Sequence, residues 1–299
     1  MNQQQSICSQ AREKTRAKRA ATQVFSFFTL RAAAFVNCAA LVIACVFLFV
    51  NGIGALDIEF VLDSPREMMT SGGVFPCLVG TFLLAAGAIA IALPFGVACA
   101  VWLNEYGKQG PVVDIVRLSV ANLAGVPSIV FGLFGLAFFV TALGFNVSLL
   151  SGILTLAVLT LPVIINTTEE ALKQVPRSWR DASLALGATK SQTIGRIVLP
   201  SALPGILTGA ILAVARAAGE TSAVMFTAAV FYTPKLPESV WNSVMALPYH
   251  MYVLATAGTE IEKTRPMQYG TGLLLVVLVF AMNLIAILIR DKMQKKRLA

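Results

Sequence analysis

Five stretches of this chain, residues 32–56, 68–104, 118–168, 197–215 and 266–289, contain no Asp, Glu, Lys or Arg. That absence constrains the fold more than any other feature. A helix crossing a bilayer needs roughly 20 mostly apolar residues, because the hydrocarbon layer is about 30 Å thick. A water-soluble fold of 299 residues needs a charged skin, and a chain that is 57% apolar and 13% charged cannot make one. The runs hold six spans, at about 33–54, 77–103, 119–142, 148–168, 202–229 and 268–289. The turn-like Gly144-Phe145-Asn146 divides the longest run. The fold class is therefore all-α integral membrane. Its segments are a basic tail (1–31), a first span with its loop (32–69), a main transmembrane domain (70–290) and a second basic tail (291–299).

Loop charge supplies the orientation. Residues 1–31 net +5 and residues 290–297 net +4, while the loop at 57–67 nets −3 and that at 169–200 nets +2. Six spans put both basic tails and the 169–200 loop on one side, which the positive-inside rule makes cytoplasmic. Residues 239–259 are also uncharged, but Trp241, Asn242, Ser243, Pro248 and His250 make them polar for lipid. A seventh crossing would place the C-terminal tail outside, so this stretch is read as an external helix or partly buried lid. The apolar run after Arg31 is longer than the 7–15 residues of a signal-peptide core and is read as a retained anchor helix.

Other chemistries lack their parts. Cys8, Cys38, Cys45, Cys77 and Cys99 form no C-x-x-C pair and read as apolar filler, and His250 is the single histidine, so no zinc cluster can be assembled. One His and one intramembrane acid do not make a membrane-embedded enzyme. No phosphate loop is present: Gly187-Ala188-Thr189-Lys190-Ser191 has a Lys-Ser pair without the paired glycines. The basic tails follow from topology and contact with anionic lipid, not from nucleic-acid binding.

The 169–200 loop is longer than a connection needs. Pro176 interrupts it, Ser178 is expected as an N-cap with Asp181 three residues on, and Leu184, Ala185 and Ala188 recur at helical spacing. This predicts a short amphipathic helix, a turn at Gly187, and a second short helix entering Pro200. A helix lying on the membrane surface is the simpler reading. Ala182, Ser183, Ala185 and Ala188 are small, however, which suits a groove on another protein better than lipid.

The fifth span contains Arg216 and Glu220, ionisable residues where none should be. Arg216 falls ~21 Å along a helix starting near 202, close to mid-membrane, where a charge costs about 2.5–3.5 kcal/mol. Residues four apart share a helix face, so the two are expected to pair. A buried bridge rarely improves on apolar packing, and the planar Arg fork binds an oxyanion through two parallel hydrogen bonds. Gly205-x-x-x-Gly209 lower in the span predicts close helix packing.

Two of these segments carry a resemblance. Asp181-Ala182-Ser183, three residues, Gly187, nine residues, then Ile197-x-Leu199-Pro200 resembles the E-A-A-x-x-x-G…I-x-L-P motif of type I ABC importer permeases, with Asp for Glu and Ser for the second Ala. Ala215-Arg216-Ala217-Ala218-Gly219-Glu220-Thr221 resembles the signature of the A-type permeases of phosphate importers. So do Pro127–Leu136 and Leu184–Lys190, and the likeness covers about residues 70–290. The resemblance implies a coupling helix at Asp181, Ala182, Ser183, Gly187, Ile197, Leu199 and Pro200 that docks into an ATPase. It also implies a phosphate pathway at Arg216, Glu220 and Thr221. Its implied partners are a second, C-type permease, two cytoplasmic ATPase subunits that hold ATP and Mg, and an extracytoplasmic phosphate-binding protein, all at a bacterial inner membrane. The coupling loop fits a molybdate or sulfate importer equally well. An ion-coupled secondary transporter would be expected to show an inverted repeat, and none is visible.

Overall fold

The computed structural model describes residues 2–66, 69, 71–108, 110–257 and 261–298, with side chains described outside 1–22, 24–25, 258–263 and 293–298. The chain forms two compact units, Met1–Asn51 and Gly52–Ala299. The first unit is a single helix, α1 (Asn2–Gly52). Phe27, Phe35, Leu41, Ile43 and Phe49 are exposed around its second half. A helix apolar on every side is stable in lipid. Its polar side chains bond back within the helix: Asn37 Nδ2 donates to Ala33 O at 2.9 Å and Asn51 Nδ2 to Phe47 O at 2.8 Å. The side chains of Cys8 and of the rest of residues 1–22 in the basic tail lie outside the described residues.

The second unit runs α2 (Ile58–Leu62), a two-residue hairpin of β1 (Pro65–Arg66) and β2 (Ser71–Gly72), then α3 (Phe75–Val101) and α4 (Pro111–Ala124). It continues with α5 (Ser128–Gly135), α6 (Leu149–Gln174), α7 (Arg177–Ala185), α8 (Lys190–Thr193), α9 (Leu199–Ala218), α10 (Ser222–Thr227), α11 (Leu247–Thr256) and α12 (Ile261–Leu298). π-helical turns extend α3 through Trp102–Tyr106, extend α5 through Leu136–Ala142, and join α8 to α9 through Ile194–Val198. The last precedes Pro200, which has no N–H to continue the ladder. Among the described residues, five helical segments have span length, and α4 with α5 makes a sixth when the bent pair is counted as one.

α6 is the axis of the bundle, with Leu156, Leu159, Ile164 and Leu172 fully buried. Small residues let its neighbours approach. A Cβ at Gly96 of α3 would lie 2.6 Å from Ile164 Cγ2, and one at Gly205 of α9 would lie 2.5 Å from Ala171 Cβ. Gly209 sits against Thr167, so the expected close packing occurs, and its partner is α6. These contacts fix direction. Gly87 meets Ile153 and Gly96 meets Ile164, so α3 runs parallel to α6, while Gly205–Ala171 and Gly209–Thr167 make α9 antiparallel. The C-terminal ends of α3 and α6 and the start of α9 therefore share one end with the 175–200 loop. Arg290 Nη1 donates to Thr208 Oγ1 at 3.2 Å, which brings the basic end of α12 toward the same end.

The opposite end is closed by residues 228–246 and α11. Leu149 N donates to Asn242 O at 2.8 Å, Leu150 N to Val240 O at 2.9 Å, and Ser151 N to Ser148 Oγ at 3.2 Å. The first three N–H groups of α6, which no helix can satisfy internally, thus have partners. Leu247 N donates to Thr81 Oγ1 at 2.8 Å, tying α11 to α3. With ten residues, α11 is about half the length a crossing requires. It carries the buried Leu247, Pro248 and His250, in keeping with the lid reading of 239–259.

Three sequence expectations need correction. The third span is not one helix over 119–142: α4 and α5 meet at 103°. Pro127 removes an N–H and pushes Val126 out of the helical region, so α4 stops at Ala124. The fifth span does not reach 229, because α9 ends at Ala218 and α10 begins at Ser222. Ser178 is not an N-cap. The helix starts two residues earlier than that cap would give, at Arg177, with Pro176 at the cap position and no side-chain cap bond.

Two measurements check this packing. Gly209→Ile has no room between α9 and α6 and is expected to cost about 1–3 kcal/mol, read as a lower Tm in detergent. His250 is buried with no hydrogen-bond partner on either ring nitrogen among the described residues, and desolvation lowers its pKa from 6.5 to about 4. The unfolded chain takes up a proton below pH 6.5 that the folded chain refuses until about 4, so stability falls as pH falls through that window, by up to about 1.4 kcal/mol per unit. His250→Leu is expected to reduce the difference in Tm between pH 7.5 and pH 5.

Candidate substrate path and coupling face

Arg216 stands in the last turn of α9, two residues before the helix ends. Its neighbours Ala217 and Ala218 are buried against Ala85 of α3, with Val279 and Met282 of α12 alongside. Arg216 is half-buried, and among the described residues its guanidinium has no ion pair or hydrogen bond. The expected pairing with Glu220 is not formed. A shared face at four-residue spacing requires a continuous helix, and Gly219 ends it: Gly219 N donates to Ala215 O at 3.3 Å and Glu220 N to Ala217 O at 3.4 Å, closing the last turn. Glu220 instead accepts from Ala223 N at 3.5 Å, at the start of α10, and Thr221 takes the N-cap position there. Each charge sits at a favourable helix end, the cation at the negative C-terminus of α9 and the carboxylate at the positive N-terminus of α10. Gly-Glu-Thr-Ser is a stop-and-start signal that hydropathy conceals. What results is a half-exposed guanidinium ~24 Å from Pro200 along α9, able to take a bidentate oxyanion.

The motif residues of the loop lie on α7, α8 and the entry to α9. Asp181, Ala182, Leu184, Ala185 and Leu186 are exposed, Leu186 to 90%. Ser183 is buried, with Oγ 2.9 Å from Thr193 Oγ1. The Ser that departs from the family motif thus ties α7 to α8. At the turn, Ala188 N donates to Ser183 O (3.2 Å) and Gly187 N to Leu184 O (3.0 Å), and Gly187 has φ +83°, a Schellman close. Thr189 and Gln192 then form a capping box that starts α8. Of the motif's last part, Ile197, Leu199 and Pro200 are half-buried. Pro200 lines two grooves. One, of about 700 Å³, is shared with Ala171, Pro176, Trp179 and Gly205. The other, of about 650 Å³, is apolar and shared with Leu93, Val97 and Leu207.

Two charge clusters at this end escaped sequence reasoning. Glu105, in the π turn after α3, accepts from Arg180 Nη2 at 2.7 Å, and Arg180 also donates to Val175 O (2.6 Å) and Leu172 O (2.9 Å) at the end of α6. Glu169, buried on α6, pairs with Arg117 of α4 at 2.9 Å and Lys173 at 2.8 Å. Only the Glu169–Lys173 spacing could have been read as a pair. The others need the parallel packing of α3 on α6 and the placement of α4.

These features define a multi-span membrane transport subunit. The chain belongs to the family of binding-protein-dependent transport system inner membrane components, which it matches over residues 92–298. It is 33% identical over 266 residues to the probable ABC transporter permease protein YqgI of Bacillus subtilis (strain 168), covering 83% of this chain and 90% of that protein. It is 39% identical over 228 residues to phosphate transport system permease protein PstA 1 of Mycobacterium tuberculosis (strain CDC 1551 / Oshkosh), covering 76% and 73%. Among solved structures, the bacterial alginate ABC transporter in complex with an alginate-pentasaccharide-bound periplasmic protein shares the fold. The TM-score is 0.62 at 13% identity, covering 87% of this chain and 92% of that one. The family expected from the loop motif is thus borne out.

The turn at Gly187 makes a local test. A Cβ there meets nothing within 4 Å, so Gly187→Ala is penalised by its positive φ alone, about 1 kcal/mol. Amide exchange at 186–188 is expected to speed up about fivefold, and less in Gly187→Asn, which tolerates that conformation.

Proposed function

We propose that this chain is the A-type permease subunit of an ATP-driven importer that carries inorganic phosphate across the bacterial inner membrane, with both termini cytoplasmic. The observation that carries this reading is Arg216, a half-exposed guanidinium at a helix break with no protein counter-ion among the described residues. An unpaired cation at membrane depth is costly and marks a path for a charged substrate. The Arg fork matches the oxygens of phosphate. A relative 39% identical is itself named a phosphate transport permease. Glu220 and Thr221, held at the start of α10, form the far side of the break, and with Glu220 engaged there the guanidinium stays open to an anion.

ATP and Mg belong on two separate ATPase chains in this reading, a C-type permease completes the pathway, and an external binding protein delivers phosphate to the 228–257 end. The alginate transporter of the same fold was solved with a periplasmic protein bound. Asp181, Ala182, Ser183, Gly187, Ile197, Leu199 and Pro200 form the coupling face. The exposure of Leu184 and Leu186 beside a tight, capped turn supports it, since an apolar knob on a rigid mount suits a protein groove. The net positive charge of the 169–200 loop and of the end of α12 supports a cytoplasmic placement of this end.

Arg216→Gln is expected to lower ATP-dependent phosphate uptake by about tenfold or more, the loss of a charged hydrogen bond to the anion, with the protein inserted at normal levels. Uptake equal to that of the unchanged chain would remove Arg216 from the path.

A further inference from the structure

α3 touches both functional regions. Toward its N-terminal end, ten residues after Phe75, Ala85 packs on Ala217 and Ala218, the residues that follow Arg216. At the other end its π turn holds the coupling loop at two points. Glu105 binds Arg180 of α7 at 2.7 Å, and Lys190, the first residue of α8, stands over the Tyr106 ring at 5.1 Å from its centroid. Adjacent residues on one turn thus grip both short helices of the loop. The Glu105–Arg180 pair is shielded, the side chains being 8% and 18% exposed, and Asn104 Nδ2 adds a 2.8 Å hydrogen bond to Glu105. Arg180 meanwhile caps the end of α6. The same guanidinium therefore locks α7 to two spans. Glu105 lies twenty positions on from Ala85 in one helical segment that includes Pro94, about 30 Å away, and α3 is packed along α6 by Gly87 and Gly96.

Resting on the permease reading above, we infer that α3 is the lever connecting the coupling loop to the Arg216 site, with Glu105 and Tyr106 as its positioning residues. Movement of α7 and α8 pulls on the π turn through a charge pair and a cation–π contact. A stiff helix carries the displacement to Ala85, and there it shifts the packing that sets the end of α9. A π turn suits this role: its widened ladder is less regular than an α-helical turn, and such turns recur at functional sites. Neither residue touches the substrate path or belongs to the loop motif, so their effect must appear in coupling and not in binding.

The test uses the complete transporter, this chain co-purified with its partner permease and ATPase subunits and reconstituted in liposomes with the phosphate-binding protein. Inorganic phosphate uptake and ATP hydrolysis are measured on the same vesicles. Glu105→Gln and Tyr106→Leu are expected to reduce phosphate moved per ATP hydrolysed by about fivefold or more, while the amount of ATPase subunit retained on the complex is unchanged. Tyr106→Phe, which keeps the ring face for Lys190, is expected to match the unchanged chain. The lever is overturned if the ratio is unaltered in both variants, or if uptake falls only in proportion to lost ATPase subunit, which is what a merely structural role would give. It is likewise overturned if Tyr106→Phe fails as badly as Tyr106→Leu. Failure of the underlying reading would look different: the unchanged transporter would accumulate no phosphate with ATP present.

Discussion

Hydrocarbon offers no hydrogen bonds, so a chain that leaves helical geometry inside or beside a membrane must find partners for its freed N–H and C=O groups within itself. Much of this architecture can be read as the working out of that demand. The N-terminal N–H groups of α6 are met by carbonyls of residues 240 and 242 and by the Ser148 hydroxyl, which obliges the irregular 228–246 segment to fold over that end of the bundle. Leu247 N is met by Thr81, whose hydroxyl also donates to Cys77 O. At the other end Arg180 reaches the last carbonyls of α6. The loops are thus helix terminators as much as connections, and their positions follow from where the spans end.

Side-chain polarity obeys the same rule. Thr155, Thr160 and Thr167 on the central helix each donate to a carbonyl one turn back, which satisfies these three hydroxyls within α6. With hydroxyls silenced, contact between helices is set by shape, and glycines at 96, 205 and 209 supply it. Close approach in turn makes the register of α3 and α9 on α6 specific, since a side chain in place of these hydrogens would meet backbone or a branched residue. That register is what brings Glu105 beside Arg180, and Ala85 beside the residues following Arg216.

The spans and the loop were largely legible in the sequence because both depend on local features. Absence of charge locates helices, and Gly187 with Thr189 announces a turn between two short ones. The misjudged features were those in which hydropathy and punctuation disagree. Residues 119–142 are continuous as an apolar run, and 202–229 are apolar apart from Arg216 and Glu220, yet Gly125-Val126-Pro127 and Gly219-Glu220-Thr221 interrupt the helices inside them. In water such breaks are cheap and common. In a span they are rare, and an apolar window therefore outvotes them wrongly. Glu105 with Arg180, 75 residues apart, belongs to a different category: its pairing depends on the parallel packing of two helices, and nothing local encodes it.

The break at Gly219 changes what Arg216 can be. On an uninterrupted helix, Arg216 and Glu220 would neutralise each other, and an anion would have to compete with a tethered carboxylate at short range. Ending the helix between them removes that competitor without removing its charge from the neighbourhood, because Glu220 is engaged by the Ala223 N–H. The last-turn carbonyls of α9 partly compensate the cation while leaving its fork free. In the proposed reading, that free fork takes the oxyanion, with Glu220 held on the far side of the break.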